Sequence, residues 1–100
     1  MKNFRTFKLA VEFYQLASKL KVKQHLRNQL DRAASSIALN LAEGRGKRTT
    51  KDQVRFFSIA MGSLRECQAI LVLAGLENNP VWEKADYLGA HLHRLIQNAR

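Results

Sequence analysis

Apolar residues recur three to four residues apart along almost the whole chain, which is the spacing of helices that bury one face. No stretch alternates apolar and polar residues as a half-buried strand does. The spacing breaks at residues 21–24, at residues 44–49 and again between Gly75 and Pro80. The pattern predicts four helices: one over about residues 4–20, a second that follows residue 24 and stops at Gly44, a third from about Thr50 to Gly75, and a fourth that begins at Pro80.

Local signals at the breaks indicate how these helices begin and end. Gly44 and Gly46 predict that the second helix stops in left-handed caps. Thr50 is our predicted N-cap of the third helix, because a threonine hydroxyl accepts hydrogen bonds from free first-turn amides. Pro80 suits the first turn of the fourth helix, with one of the two preceding asparagines as its cap.

The helical stripes are apolar enough for one buried core. Short connections between consecutive helices predict an all-α fold, an antiparallel up-and-down four-helix bundle, with residues 1–100 as a single domain. The predicted core positions are Leu9, Phe13, Leu16 and Leu20 in the first helix; Leu26, Leu30, Ala33, Ile37 and Leu41 in the second; Phe56, Phe57, Ile59, Ala60, Met61, Leu64, Ile70 and Leu71 in the third; and Val81, Ala85, Leu88, Leu92, Leu95 and Ala99 in the fourth.

Small polar residues interrupt the apolar stripe of the second helix. Ser36 and Asn40 lie one turn apart on the same side as Ile37, and a buried amide needs a hydrogen-bond partner. If the second and third helices form a hairpin about residue 49, these polar residues face one another and specify the helix register. The predicted pairs are Arg32 with Glu66, Ser36 with Gly62 and Asn40 with Ser58, and Ser63 is a further donor nearby.

Positive charge is concentrated in the first half of the chain. The formal net charge is +9, with 17 Lys and Arg against 8 Asp and Glu, and residues 1–50 hold 11 of the basic residues but only 3 of the acidic ones. This imbalance favours a polyanionic partner, with nucleic acid ahead of an anionic membrane because no basic amphipathic anchor is evident. The alternative is a basic surface that only keeps the protein soluble.

Two basic clusters are candidates for phosphate contacts. One surrounds the loop after the second helix, and the other surrounds the first connection. A helix of about 30 Å separates them, so they need not form one patch in a monomer. The predicted nucleic-acid-binding residues are Arg45, Lys47, Arg48, Lys51 and Arg55 in the first of these clusters, and Lys19, Lys21, Lys23 and Arg27 in the second.

Residues with catalytic or ligand-binding chemistry form no convincing set. His91 and His93 point to different sides of one helix, and His25 lies elsewhere, so we expect no metal. Gly44 to Thr49 lacks the strand and the Gly-Lys-Ser/Thr order of a phosphate loop. We therefore expect no enzyme and no cofactor.

A cytoplasmic location is expected from three features of the sequence. Cys67 stands alone and cannot form a disulfide within the chain. The first residues carry no signal-like apolar run, and no window approaches the roughly 20 apolar residues of a membrane span.

Motifs over about half of the chain resemble a known family of four-helix bundles. They are residues 29–33 (Gln-Leu-Asp-Arg-Ala), Ser36-Ile37, residues 40–44 (Asn-Leu-Ala-Glu-Gly) and residues 57–66 (Phe-Ser-Ile-Ala-Met-Gly-Ser-Leu-Arg-Glu). In this order they resemble the family encoded in intervening sequences of bacterial large-subunit ribosomal RNA genes, which also includes the accessory variability protein of diversity-generating retroelements. Ala38 departs from the family pattern, where many relatives have proline, and so does the short first connection.

The resemblance implies a non-catalytic homo-oligomer, a pentameric ring or barrel, whose basic surface engages RNA or DNA. The alternative is an adaptor or scaffold that binds a protein partner such as a reverse transcriptase. Exposed aromatics beside the cations are not expected, so binding should be led by phosphates and sensitive to salt.

Overall fold

Four α-helices make up the computed structural model, which describes residues 4–100 and their side chains from residue 5 onward. They are α1 (Phe4–Ser18), α2 (Gln24–Arg45), α3 (Thr50–Leu73) and α4 (Pro80–Ala99), with no strand among the described residues. The predicted all-α fold with four helices is confirmed. α1 packs on α2 and α4, and α3 also packs on α2 and α4, so the helices surround one shared core.

The helix ends confirm some of the predicted caps and correct others. Asn79 caps α4, where its side-chain oxygen accepts a hydrogen bond from the Val81 amide at 2.9 Å. The predicted Thr50 cap of α3 is wrong. Thr49 has the extended backbone that an N-cap requires, and its hydroxyl accepts from the Asp52 amide at 3.1 Å.

The prediction that glycines end α2 in the left-handed conformation is also wrong. Gly46 caps α2 with a right-handed backbone, φ −83° and ψ −5°. Gly44 lies inside the helix and is buried. The only positive φ among the described residues is at Gly75, +72°, where the chain leaves the end of α3.

The core contains residues from every helix. All five predicted core positions of α2 are buried, as are Leu9 and Phe13 of α1 and Leu88 and Leu92 of α4. Leu16 and Ile59 are corrections, because their side chains are 42% and 45% exposed. In α1 and α3, the apolar stripe is wider than the face that the neighbouring helices cover.

The first connection is held by an arginine. Arg27 donates hydrogen bonds to the carbonyl oxygens of Leu20 at 2.7 Å and Ala17 at 2.8 Å, and its guanidinium also bonds Asp31 Oδ1 at 2.6 Å. The carbonyls at the end of a helix have no partner within that helix. Arg27 therefore ties the end of α1 to the first turns of α2.

Gly44 is a position of close contact between α2 and α3. A Cβ atom added there would lie 2.8 Å from Cε1 of Phe57 and 3.0 Å from Cβ of Phe56. Phe57 is 1% exposed, so its ring is enclosed on the other sides as well. The absence of a side chain at Gly44 makes room for Phe57.

One polar contact between α2 and α3 joins Ser36 to Ser63, the further donor predicted nearby. Ser63 Oγ donates to Ser36 Oγ at 2.9 Å. Asn40 bonds within its own helix, where its amide nitrogen donates to Ser36 O at 2.8 Å and to Ser36 Oγ at 3.0 Å. Ser36, Asn40 and Ser63 thus form the polar network of this helix pair.

The other predicted polar pairs are corrections. Among the described residues, no ion pair joins Arg32 to Glu66 and no hydrogen bond joins Asn40 to Ser58. Ser58, Gly62 and Glu66 follow one another four residues apart, so they share one face of α3, and all three are exposed. The predicted pairs therefore used an exposed face of α3.

Composition alone would allow one of the described helices to cross a membrane. α3 is long and apolar enough for a span, contrary to our expectation that no window approaches one. Its apolar residues include Phe57, Leu64 and Leu71, which are buried in the bundle. The composition of α3 is therefore also that of a core helix.

Substitution of Gly44 tests the close approach of α2 and α3. Gly44→Ala should lower the free energy of unfolding by about 1–3 kcal/mol, because the new methyl group overlaps the ring of Phe57. Gly62→Ala is the matched control, since a Cβ there meets nothing within 4 Å. The control should be neutral or stabilising by up to about 1 kcal/mol, because alanine favours the helix. Urea unfolding measures both, and equal effects would contradict the proposed packing.

Candidate nucleic-acid interface

The loop between α2 and α3 is closed by its own hydrogen bonds. The Gly46 amide donates to Glu43 O at 3.2 Å, and the Lys47 amide donates to Gly44 O at 3.1 Å. Gln53 reaches back from α3 and donates to Lys47 O at 3.0 Å. With the Thr49 cap, these bonds give the loop a defined shape beside the positive end of the α3 dipole.

The five predicted cations of this loop differ in their availability. Arg48, Lys51 and Arg55 are exposed, and none of them belongs to an ion pair within residues 4–100. Lys47 is half-buried and pairs with Glu43 Oε2 at 3.2 Å. Arg45 is also half-buried, and its Nη1 is buried with no hydrogen-bond partner in the described structure. Arg48, Lys51 and Arg55 are therefore the most accessible to a phosphate.

Phe56 organises this basic surface, a role that sequence reasoning did not assign to it. The ammonium of Lys47 lies 5.1 Å from the centroid of the Phe56 ring, and the guanidinium carbon of Arg55 lies 4.9 Å from it. Both distances are within the range of a cation–π interaction. The sequence offered only the adjacency of Phe56 and Arg55 as a signal, because the contact with Lys47 depends on how the loop folds.

The second predicted basic cluster has three exposed cations. Lys19, Lys21 and Lys23 are exposed, but the guanidinium of Arg27 is engaged by the carbonyls at the end of α1 and by Asp31. Arg27 is a structural residue in this fold. α2 has 22 residues and so holds the two clusters about 33 Å apart.

Residues with potential catalytic chemistry are engaged elsewhere or enclosed. Cys67 is fully buried, and burial, with a smaller effect of the Glu66 charge, raises the pKa of its thiol to about 12. A thiol with so high a pKa is a poor nucleophile at neutral pH. Burial, with smaller effects of Arg94 and Arg5, lowers the pKa of His91, whose ring packs edge-on against Tyr87. In the described part of the chain, no group of three or more His, Cys, Asp or Glu residues could hold a metal.

One family matches nearly the whole chain. The profile of the 23S rRNA-intervening sequence protein family matches residues 4–98, which include α1, α2, α3 and all of α4 but its last residue. No curated protein sequence matches the chain. The motifs noted above in α2 and α3 lie within the matched region, and they include Gly44 and Ser36 at the α2–α3 contact. The chain therefore belongs to the 23S rRNA-intervening sequence protein family.

Proposed function

We propose that this protein is a non-enzymatic homo-oligomer that binds RNA or DNA mainly through phosphate contacts. The observation that carries the proposal is the group of exposed, unpaired cations Arg48, Lys51 and Arg55 at the α2–α3 loop. Flexible cations of this kind neutralise phosphates and release counterions without reading sequence. The net charge of +9 adds a general attraction to polyanions.

Base recognition contributes little to the proposed binding. Phe56 is the aromatic residue nearest to the loop cations, and it is half-buried with Lys47 and Arg55 over its ring. Stacking of a base requires an open ring face. We therefore propose weak and salt-sensitive binding without a sequence preference.

The two basic clusters act at opposite ends of an antiparallel bundle in this proposal. The contact of Arg27, at the start of α2, with carbonyls at the end of α1 supports this helix order. Ser36 with Ser63 and Gly44 with Phe57 support the same order for α2 and α3. Lys19, Lys21 and Lys23 then form a second, separate patch, and a ring of subunits would repeat both patches and raise the avidity.

Self-association is supported by apolar side chains on the outer face of α2 and α3. Leu39 is 67% exposed and Ile59 is 45% exposed. α2 and α3 pack against each other, and exposed apolar surface shared by two packed helices is a candidate for burial by another chain. We propose that a second copy of this chain covers Leu39 and Ile59, in a pentamer as the family resemblance implies.

We also make proposals about the protein's cellular location, its lack of a cofactor and one relative. We propose a cytoplasmic protein without a cofactor, since a single buried cysteine fits a reducing compartment. Kinship with the accessory variability protein of diversity-generating retroelements is proposed on the shared motif that ends at Gly44.

Neutralising the loop cations tests the binding site. The triple variant Arg48→Gln, Lys51→Gln, Arg55→Gln should bind a short RNA or DNA several-fold more weakly at about 50 mM salt, because three phosphate contacts are lost. Fluorescence anisotropy with a labelled oligonucleotide measures the Kd.

The control for this experiment removes the same charge from other faces of the bundle. Lys8, Arg32 and Arg94 are exposed and lie outside both basic clusters, so their replacement by Gln should change affinity much less. Equal losses of affinity in the two triple variants would mean that only the general positive charge matters, and would contradict a binding site at the loop. No binding of the unaltered protein to either nucleic acid would overturn the proposal.

Substitution at the exposed apolar face tests self-association. Light scattering coupled to size exclusion should give a mass several times the chain mass of 11.4 kDa, and Leu39→Glu with Ile59→Glu should reduce it to the monomer. Leu16→Glu, at an exposed leucine of α1, should leave the mass unchanged. A monomeric unaltered protein would contradict the proposal and favour a different protein as the partner of this face.

A further inference from the structure

A groove of about 760 Å³ lies between the α1–α2 connection and the end of α3. Its apolar side is formed by Val22, Leu26, Leu73 and Ala74. Leu73, the last residue of α3, is 73% exposed, more than any other large apolar side chain described. Leaving a leucine in water costs roughly 25 cal/mol for each Å² of apolar surface. The groove therefore offers a ligand apolar surface that the fold leaves exposed.

The turn after α3 keeps this groove open. Gly75 has φ +72°, and a Cβ added there would meet nothing within 4 Å. The chain turns away directly after Leu73 and Ala74, so no side chain of the turn covers Leu73. The volume lies within the range of about 300–1,000 Å³ that is usual for small-molecule sites.

The ionisable side chains that line the groove are all basic. Its rim carries Lys21, Lys23 and His25, and no Asp or Glu of the described residues lines it. Neither Lys21 nor Lys23 forms an ion pair within residues 4–100, and both are exposed. An anionic group at the rim would gain favourable interactions with both ammonium groups, which a cation or a neutral group would not.

We propose that this groove binds a small amphipathic anion, an apolar chain that ends in a single carboxylate. The chain would pack on Leu73 and Leu26, and the carboxylate would lie between Lys21 and Lys23. Lys21 and Lys23 also belong to the second basic patch proposed above, so this anion would compete there with nucleic acid, whose phosphates would leave the apolar side in contact with water. The proposal goes beyond the nucleic-acid function, because the loop cations that carry that function lie at the other end of α2.

Decanoate is a suitable probe, and titration calorimetry measures its binding below its micelle concentration. Butanoate has the same head group with a short tail, and decyltrimethylammonium has the same tail with the opposite charge. We expect decanoate to bind at least about tenfold more tightly than either of them. Equal binding of decyltrimethylammonium would overturn the role of the lysines, and equal binding of butanoate would overturn the role of the apolar side.

Two matched variants locate the site. Leu73→Glu should weaken decanoate binding at least about tenfold, because it removes apolar surface and places a carboxylate against that of the ligand. Leu16→Glu is the control, with the same substitution at a leucine that is 42% exposed and does not line the groove. It should leave decanoate affinity unchanged.

A third variant tests the rim without changing the apolar side. Lys21→Gln with Lys23→Gln should weaken the binding of decanoate and should not weaken the binding of decyltrimethylammonium. Circular dichroism verifies that each variant is folded. Equal losses of decanoate affinity in the Leu16 and Leu73 variants, or no decanoate binding by the unaltered protein, would overturn the proposal. Neither result bears on the loop cations, whose test uses Arg48, Lys51 and Arg55.

Discussion

The structure depends on how closely α2 approaches α3. At Gly44 the backbone of α2 leaves no space for even a methyl group beside Phe57, whose ring fills the core at this end of the helix pair. α2 ends at Arg45, one residue after Gly44, and the loop returns the chain to α3 through the Thr49 cap. Phe56, the neighbour of Phe57 in sequence, lies under the ammonium of Lys47 from that loop. The helix contact therefore lies directly beside the loop that carries the cations.

Much of this fold could be predicted from the sequence, because apolar spacing reports the buried face of a helix directly. The stripe of α2 and the Asn79 cap of α4 are examples. Leu16 and Ile59 were misplaced because an apolar stripe does not show how much of it a neighbouring helix covers. The predicted pairs of Arg32 with Glu66 and of Asn40 with Ser58 were wrong, since Glu66 and Ser58 lie on an exposed face of α3. Glycine at position 44 reflects packing, whereas the sequence suggested a left-handed cap.

The sequence predicted where the basic residues of the candidate site lie, but it did not predict the contacts that each of them makes. Positive charge near the α2–α3 loop was evident, but charge counts did not distinguish the exposed Arg48 from the ion-paired Lys47. Arg27 illustrates the limit most clearly, because its guanidinium satisfies helix carbonyls that no sequence motif identifies. At the start of α2 the exposed Lys21 and Lys23 lie beside apolar surface. At the other end of α2 the exposed Arg48, Lys51 and Arg55 lie around a polar loop. This difference is why we assign the amphipathic anion to the start of α2 alone.

The dependence of nucleic-acid affinity on salt tests the central claim most directly, because its slope counts the phosphates that the protein neutralises. For the triple variant at Arg48, Lys51 and Arg55, the slope of log K against log salt should be less steep than for the unaltered protein by at least about 2. The control triple variant at Lys8, Arg32 and Arg94 should retain the original slope. An unchanged slope in the loop variant, or the same change in both variants, would contradict phosphate binding at the α2–α3 loop.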